Sequence, residues 1–278
     1  MGQMRTFPDA ETLYRAAAED FLDLAGEAVR RAGRFTVALA GGSTPRRLYE
    51  LLAADSYRDR VAWGRVELFW GDERAVPADH PDSNYGSAME ALATLPLSPE
   101  RVHRIRVEAA NLPQAARDYQ IEIARVHGAS PEGVPPALDL VLLGMGADGH
   151  TASLFPGSEA VGERRRWVVS DFVAHRGTRR ITLTAPIINR ARNIRMLVMG
   201  ADKAPALSAV LSGPRDPARL PAQLVMPEDG TLIWLVDQIL ADGLGSETPA
   251  IPGLGPTPGP GIIGPTRDSP ERREQRHA

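Results

Sequence analysis

The sequence has 278 residues, enough for one large α/β domain or two small ones, and its hydrophobic share of 43% is ordinary for a soluble globular protein. A net charge of -3, with both signs interspersed, excludes a surface built to neutralise a long nucleic acid, and the lack of cysteine excludes disulfides, thiolate nucleophiles and cysteine-ligated metals. No stretch approaches the roughly 18 apolar residues of a membrane span, and the N-terminus lacks the apolar run of a signal peptide, so a cytoplasmic protein is expected, with neither nucleic acid nor membrane as partner.

Leu13, Ala17, Phe21, Leu24 and Ala28 recur at steps of three and four between Pro8–Asp9 and Gly33, which predicts an amphipathic helix from Asp9 to Ala32. Four apolar runs follow: Phe35 to Ala40, Val66 to Trp70, Leu138 to Leu143 and Ile194 to Gly200. Most are nearly continuous rather than alternating, as expected of parallel strands covered on both faces. Helix-like stretches at Ser83 to Leu95, Asn111 to His127 and Asp202 to Leu211 lie between or after them. This alternation predicts an α/β fold, a mostly parallel sheet with helices on both faces, over residues 1–242. From Gly243 the chain carries 14 Gly and Pro residues in its last 36 and has no periodicity, so residues 243–278 are expected to be a disordered tail.

Ligands of such sheets bind at the carboxyl ends of the strands, where loops and helix N-termini converge. That directs attention to four loops: AGGSTP, GDER, GMGADGHT and GADK. In AGGSTP, Gly41 and Gly42 permit a tight turn, Thr44 is the expected N-cap and Pro45 the expected first helical residue. Free N–H groups at that helix start, with the Ser43 and Thr44 hydroxyls, suit a small phosphate. The loop lacks the lysine and spacing of a nucleotide P-loop and the pattern of a dinucleotide site.

The loop after the third run holds Gly144, Gly146 and Gly149 around Asp148 and His150. An imidazole beside a carboxylate at a strand's carboxyl end is placed for proton transfer near neutral pH. GDER offers Arg74 as a substrate or charge-stabilising group, oriented by Asp72 or Glu73. Asn84 and Tyr85 lie near a helix start, where their polar groups either meet a sugar hydroxyl or simply pack the helix. Arg180, before the strand ITLT, and Lys203, at another helix start, are candidates to pair with a phosphate dianion. His80, His103 and His127 show no paired ligand spacing and His175 lies among basic residues, so no metal site is expected.

Taken together, AGGSTP, FWGDER, DSNYG, LLGMGADGHTASLFPG, RITLT, INRARNIRMLVMGADK and PAQLVMPEDGTLIWLVD, in order from about Ala40 to Asp237, resemble the 6-phosphogluconolactonase family of the glucosamine-6-phosphate isomerase and lactonase superfamily. The resemblance implies a modified Rossmann-like sheet and hydrolysis of 6-phospho-D-glucono-1,5-lactone to 6-phospho-D-gluconate in the oxidative pentose phosphate pathway, with no cofactor. It implies a catalytic role for His150 with Asp148 and Arg74 beside it, and phosphate binding at Gly42, Ser43 and Thr44 with Arg180 and Lys203. Asp72 and Asn84 are the remaining substrate-binding candidates. The expected partner is the phosphorylated sugar lactone alone, and the chain is expected to be a monomer or small homo-oligomer.

Two other functions compete. The related aminosugar-phosphate deaminases resemble NDGHIAFNEP at the histidine loop, with a glutamate where this chain has Phe155, and DEY where it has GDER. A non-catalytic sugar-phosphate sensor would need a DNA-reading module, and only one helix is expected before Phe35.

Overall fold

In the computed structural model, which describes residues 2–109, 111–174 and 177–244, the first helix forms where the apolar spacing places it. This helix, α1 (Ala10–Ala32), opens on a capping box in which the Asp9 carboxylate accepts from the Thr12 N–H and Thr12 answers the Asp9 N–H. It closes on Gly33 in the left-handed conformation. Before it lies a strand the apolar pattern does not reveal, β1 (Gln3–Phe7).

The four apolar runs become β2 (Phe35–Leu39), β3 (Val66–Trp70), β5 (Leu140–Gly144) and β8 (Asn193–Val198). With β1 and β9 (Thr231–Asp237) they form a six-stranded, wholly parallel sheet in the order β1-β9-β8-β5-β2-β3. Every residue of β2 and β3 is buried, as the continuous apolar runs require of strands covered on both faces. The charge inside β8 is paired: Arg195 donates to Asp20 of α1 at 3.0 Å, and Arg5 of β1 donates to the same carboxylate. One carboxylate thus ties helix, edge strand and inner strand together.

A second, antiparallel sheet of three strands, β4 (Asp72–Arg74), β7 (Thr178–Leu183) and β6 (Val168–Val173), stands beside the first. It corrects the expectation that GDER is a loop, because Asp72, Glu73 and Arg74 pair with Thr182, Ile181 and Arg180. The helices α2 (Ser43–Leu52), α3 (Asn84–Ala91), α4 (Leu112–His127), α5 (Ala185–Ile188), α6 (Ala204–Ser212) and α7 (Gln238–Gly243) complete the layers. The third predicted helix is shorter than expected at its start: Ala201–Lys203 is a separate 3-10 turn, and Lys203 is the N-cap of α6. Residues 245–278, most of the expected tail, and His175 lie outside the described residues. No helix among the described residues is long and apolar enough to cross a membrane.

The strand order positions the site. From β2 the chain adds β3 on one side, and β5 then pairs on the other, so the carboxyl ends of β2 and β5 lie side by side at the point of reversal. Ligands of open α/β sheets bind at such a crevice. The end of β2 is pinned by the buried Tyr49 of α2, whose hydroxyl accepts from the Ala40 N–H at 2.9 Å and donates to the Ala40 carbonyl at 2.8 Å. Tyr49→Phe is therefore expected to cost about 1–3 kcal/mol of stability in urea unfolding, the usual penalty for leaving buried backbone groups unpaired.

Candidate active site

A cavity of about 260 Å³ opens at the β2–β5 reversal. It is lined by Gly42, Ser43 and Thr44 from the first loop, Asp72 and Arg74 from β4, Asn84 from α3, His150, Arg180 and Lys203. Nine of the ten residues singled out in the sequence thus share one cavity. The tenth, Asp148, is hydrogen-bonded to His150. Two larger hollows, of about 650 and 770 Å³, have no histidine among their lining residues.

The histidine is built by close backbone approach. The His150 Nδ1 lies 2.5 Å from Asp148 Oδ1, and the same oxygen accepts from the His150 backbone N–H at 3.1 Å. Because a carboxylate only accepts, Nδ1 carries the proton of the neutral ring and Nε2 is left as the base. Burial pushes the Asp148 carboxyl up, but the hydrogen bond and positive charge of His150 and the backbone N–H donors outweigh it, bringing it to about 2. Gly146 makes this geometry possible: a Cβ there would stand 2.2 Å from His150 Nδ1 and 2.6 Å from Asp148 Oδ1. Gly149 sits at φ 77, a region that favours glycine.

The phosphate loop departs from the expectation in one respect. The N-cap of α2 is Gly42, not Thr44, and Pro45 is the third helical residue rather than the first. Gly42, at φ 103 and ψ 170, adopts a backbone conformation open essentially to glycine, which lets the helix begin two residues earlier. No side chain caps it. The first N–H groups of α2 therefore meet the cavity without an internal acceptor, which is the arrangement that binds anions.

The acidic residues of GDER turn inward. Glu73 is buried and accepts from the backbone N–H groups of Arg74, Asn84 and Tyr85, each at 2.8 Å, while Ser83 Oγ lies 3.1 Å away. Burial pushes its carboxyl above the ordinary range, against the pull of those three N–H donors, and the neighbouring charge of Asp72 adds to the rise. Glu73 thus anchors the start of α3, whose N-cap is Ser83, and so holds Asn84 at the cavity. The Asn84 amide donates to the Asp72 carbonyl at 2.9 Å, and Gly41 leaves room for it, since a Cβ there would fall 1.8 Å from Asn84 Oδ1. Asp72 is buried too, accepting from Ser153 Oγ at 2.6 Å. Ser153 belongs to the histidine loop, and nothing in its sequence setting pointed to Asp72 as its partner.

Three cations line the same cavity. Arg74 and Arg180 sit opposite each other in the β4–β7 register, so their side chains start from one face as like charges. Arg74 donates from Nη1 to the Asp82 carbonyl at 2.6 Å, and its buried Nε has no hydrogen-bond partner among the described residues. Arg180 stands 4.0 Å from Asp72. Lys203 donates to the Met199 carbonyl at 2.8 Å. An uncapped helix start and three cations around one small cavity are an arrangement suited to a compact anion, and the Asp148–His150 pair stands at its wall. No group of three His, Asp or Glu side chains among the described residues is arranged to hold a metal ion.

The model of the family described as glucosamine-6-phosphate isomerases/6-phosphogluconolactonase matches residues 8–234. The chain belongs to that family. It is 39% identical over 236 residues to the 6-phosphogluconolactonase of Nostoc sp., covering 84% of this chain and 95% of the relative. It is 42% identical over 221 residues to that of Synechocystis sp., covering 78% and 88%. Among solved structures, the 6-phosphogluconolactonase of Trypanosoma brucei superposes with a TM-score of 0.75 at 28% identity, covering 88% of this chain and 99% of that one. A monomeric glucosamine-6-phosphate deaminase, at 21% identity and a TM-score of 0.72, shares the family's fold.

The depressed Asp148 carboxyl has a consequence for acid stability. Its folded value of about 2 lies below the unfolded value of about 3.9, so its contribution is complete above that unfolded value and is lost as pH falls through about 2. Asp148→Asn is expected to cost roughly 2–3 kcal/mol relative to the parent at pH 5, the equivalent of the shift at about 1.4 kcal/mol per unit. The difference should shrink toward zero by pH 2, measured by urea unfolding at the two pH values.

Proposed function

We propose that this chain hydrolyses 6-phospho-D-glucono-1,5-lactone to 6-phospho-D-gluconate, the lactone-opening step of the oxidative pentose phosphate pathway, and that it works in the cytoplasm on this small-molecule partner, as a monomer or small homo-oligomer. The observation that carries the reading is the sharing of one small cavity by an uncapped helix start and the Asp148–His150 dyad. The first suits the phosphate of the substrate and the second suits the reaction at the other end of the sugar.

The chemistry follows from what a lactone requires. His150 Nε2 takes a proton from water as the water oxygen bonds to C1, and the carbonyl oxygen becomes an oxyanion. Arg74, which lines the cavity, stabilises that charge, with Arg180 close by on the neighbouring strand. Asp148 holds the imidazole in the required tautomer and favours the imidazolium that forms. The C1–ring oxygen bond then breaks, and the proton held on Nε2 passes to the departing oxygen, so one histidine serves both transfers. Binding of the remote phosphate at Gly42, Ser43 and Thr44, aided by Lys203, aligns C1 with the dyad. Asp72 and Asn84 face the sugar hydroxyls.

The deaminase alternative is disfavoured by the residue at 155. A glutamate is expected there for aminosugar ring opening, whereas Phe155 is buried and packs flat against His150.

His150→Ala is expected to lower kcat on freshly generated phosphorylated lactone by about 10² to 10⁴, the usual worth of acid-base help, with the affinity for 6-phosphogluconate changed little. Near-normal turnover by the variant would overturn the role of His150. In the parent protein, unphosphorylated gluconolactone should be a far poorer substrate in kcat/KM, and equal use of the two would remove the phosphate-anchor part of the proposal.

A further inference from the structure

The hydrogen bond from His150 to Asp148 fixes where one ring nitrogen lies, but a single bond leaves the ring free to turn about its own line. The direction of the Nε2 lone pair is set by something else. The Phe155 ring lies 4.2 Å from the His150 ring, centroid to centroid, and within 22° of parallel. The same Phe155 ring carries the Arg180 guanidinium 5.4 Å from its centroid. Phe155 is buried at 2% exposure, so its ring is shielded from water, while His150 stays partly open to the cavity.

The chain between His150 and Phe155 is built to make this stack. Those four residues must fold back on themselves, and the turn passes through Ala152 at φ 48, the one non-glycine residue with positive φ among the described residues. Such a conformation persists only where the surroundings impose it. Here Thr151 Oγ1 donates to the Gly144 carbonyl at 2.8 Å, Ser153 Oγ to Asp72 at 2.6 Å, and the Ser153 N–H to Thr182 Oγ1 at 3.1 Å. Leu154 closes the turn by donating to the Thr151 carbonyl at 2.9 Å. Beyond it the Phe155 carbonyl accepts from the Ser158 N–H at 3.0 Å. The phenyl ring is thus held at both ends of its segment.

Resting on the lactonase reading for its kinetic side, we propose that Phe155 is a positioning residue that sets the plane of the His150 imidazole and, through its contact with Arg180, ties the acid-base group to the anion-binding arginine. The physical reasons are general. Parallel offset rings resist tilting, and a guanidinium within about 6 Å of an aromatic face is attracted by the ring's quadrupole. An aliphatic side chain of similar volume fills the space without supplying either force.

The decisive comparison is Phe155→Leu against Phe155→Tyr, with thermal unfolding followed for each. Phe155→Leu is expected to lower kcat roughly tenfold to a hundredfold, the scale of a misaligned catalytic group. It should also weaken 6-phosphogluconate binding several-fold, while Phe155→Tyr, which keeps the aromatic face, recovers most of both. In an Arg180→Ala background, Phe155→Leu should still lower kcat but should leave product binding where Arg180→Ala alone puts it. A loss of thermal stability in Phe155→Leu with kcat and product binding unchanged would overturn the proposal, as would no recovery in Phe155→Tyr. A reading free of activity is the ring-current shift of the His150 Hε1 proton by NMR, assigned with His150→Gln. The parent should show an upfield displacement that disappears in Phe155→Leu, or in Phe155→Met should the leucine variant not fold. Its absence in the parent would refute the stack in solution. If the parent fails to turn over the phosphorylated lactone, the lactonase reading falls, and the ring-current measurement still decides the placement of His150 by Phe155.

Discussion

At the junction of β2 and β5 the parallel sheet changes the direction in which it adds strands, and the carboxyl ends of these two neighbours are left facing a common crevice. The loop that starts α2 rises from one of them and the histidine loop from the other. Neither loop forms a site alone: the first offers donors for an anion and the second offers a proton-transfer group. The β4–β7 pair closes the crevice from the side and brings two arginines to it at one register position. The remaining structure, from the buried apolar faces of β2 and β3 to the Asp20 link among α1, β1 and β8, keeps this junction rigid.

Within the crevice, acidic and basic residues divide the work. Each carboxylate is committed to protein: Asp148 to the imidazole, Glu73 to the first turn of α3, Asp72 to Ser153 and Asn84. Arg74, Arg180 and Lys203 face the same cavity as the start of α2, each with protein contacts of its own: Arg74 to the Asp82 carbonyl, Arg180 beside Asp72 and Phe155, Lys203 to the Met199 carbonyl. Three cations thus gather at one cavity, although the whole chain carries a net charge of -3. Local charge at a site depends on which groups are already satisfied, and composition does not report that.

Much of this was legible in the sequence where local rules dominate. The α1 helix, its Asp9 and Gly33 ends, and the strands β2, β3, β5 and β8 follow from apolar period and capping chemistry, and the segments carrying Ser43, Arg74, His150 and Lys203 follow from the strand ends. The edge strand β1 was not legible, because Gln3–Phe7 has an exposed face and no apolar run, and its identity comes from backbone pairing with β9. The sequence GDER reads as a loop because three polar residues carry no strand period. Only the antiparallel partner makes them a strand. Thr44 was expected to cap α2 on side-chain preference, but the positive φ of Gly42 moved the helix start to Ser43, where the open N–H groups serve a ligand better than an internal cap would.

Local pattern alone is enough to say which chemical groups are available and roughly where they stand along each strand, since secondary structure is set by residues three or four apart or alternating along the chain. It also determined the short-range geometry of Asp148 and His150, two residues apart around glycines that admit no Cβ. Which distant groups meet depends on the packed fold: Ser153 with Asp72, Arg180 with Arg74 and Phe155. These contacts join residues separated by tens of positions. They arise from strand order and crossover packing, which no local pattern encodes, and through them a loop histidine comes to share a cavity with the uncapped start of α2.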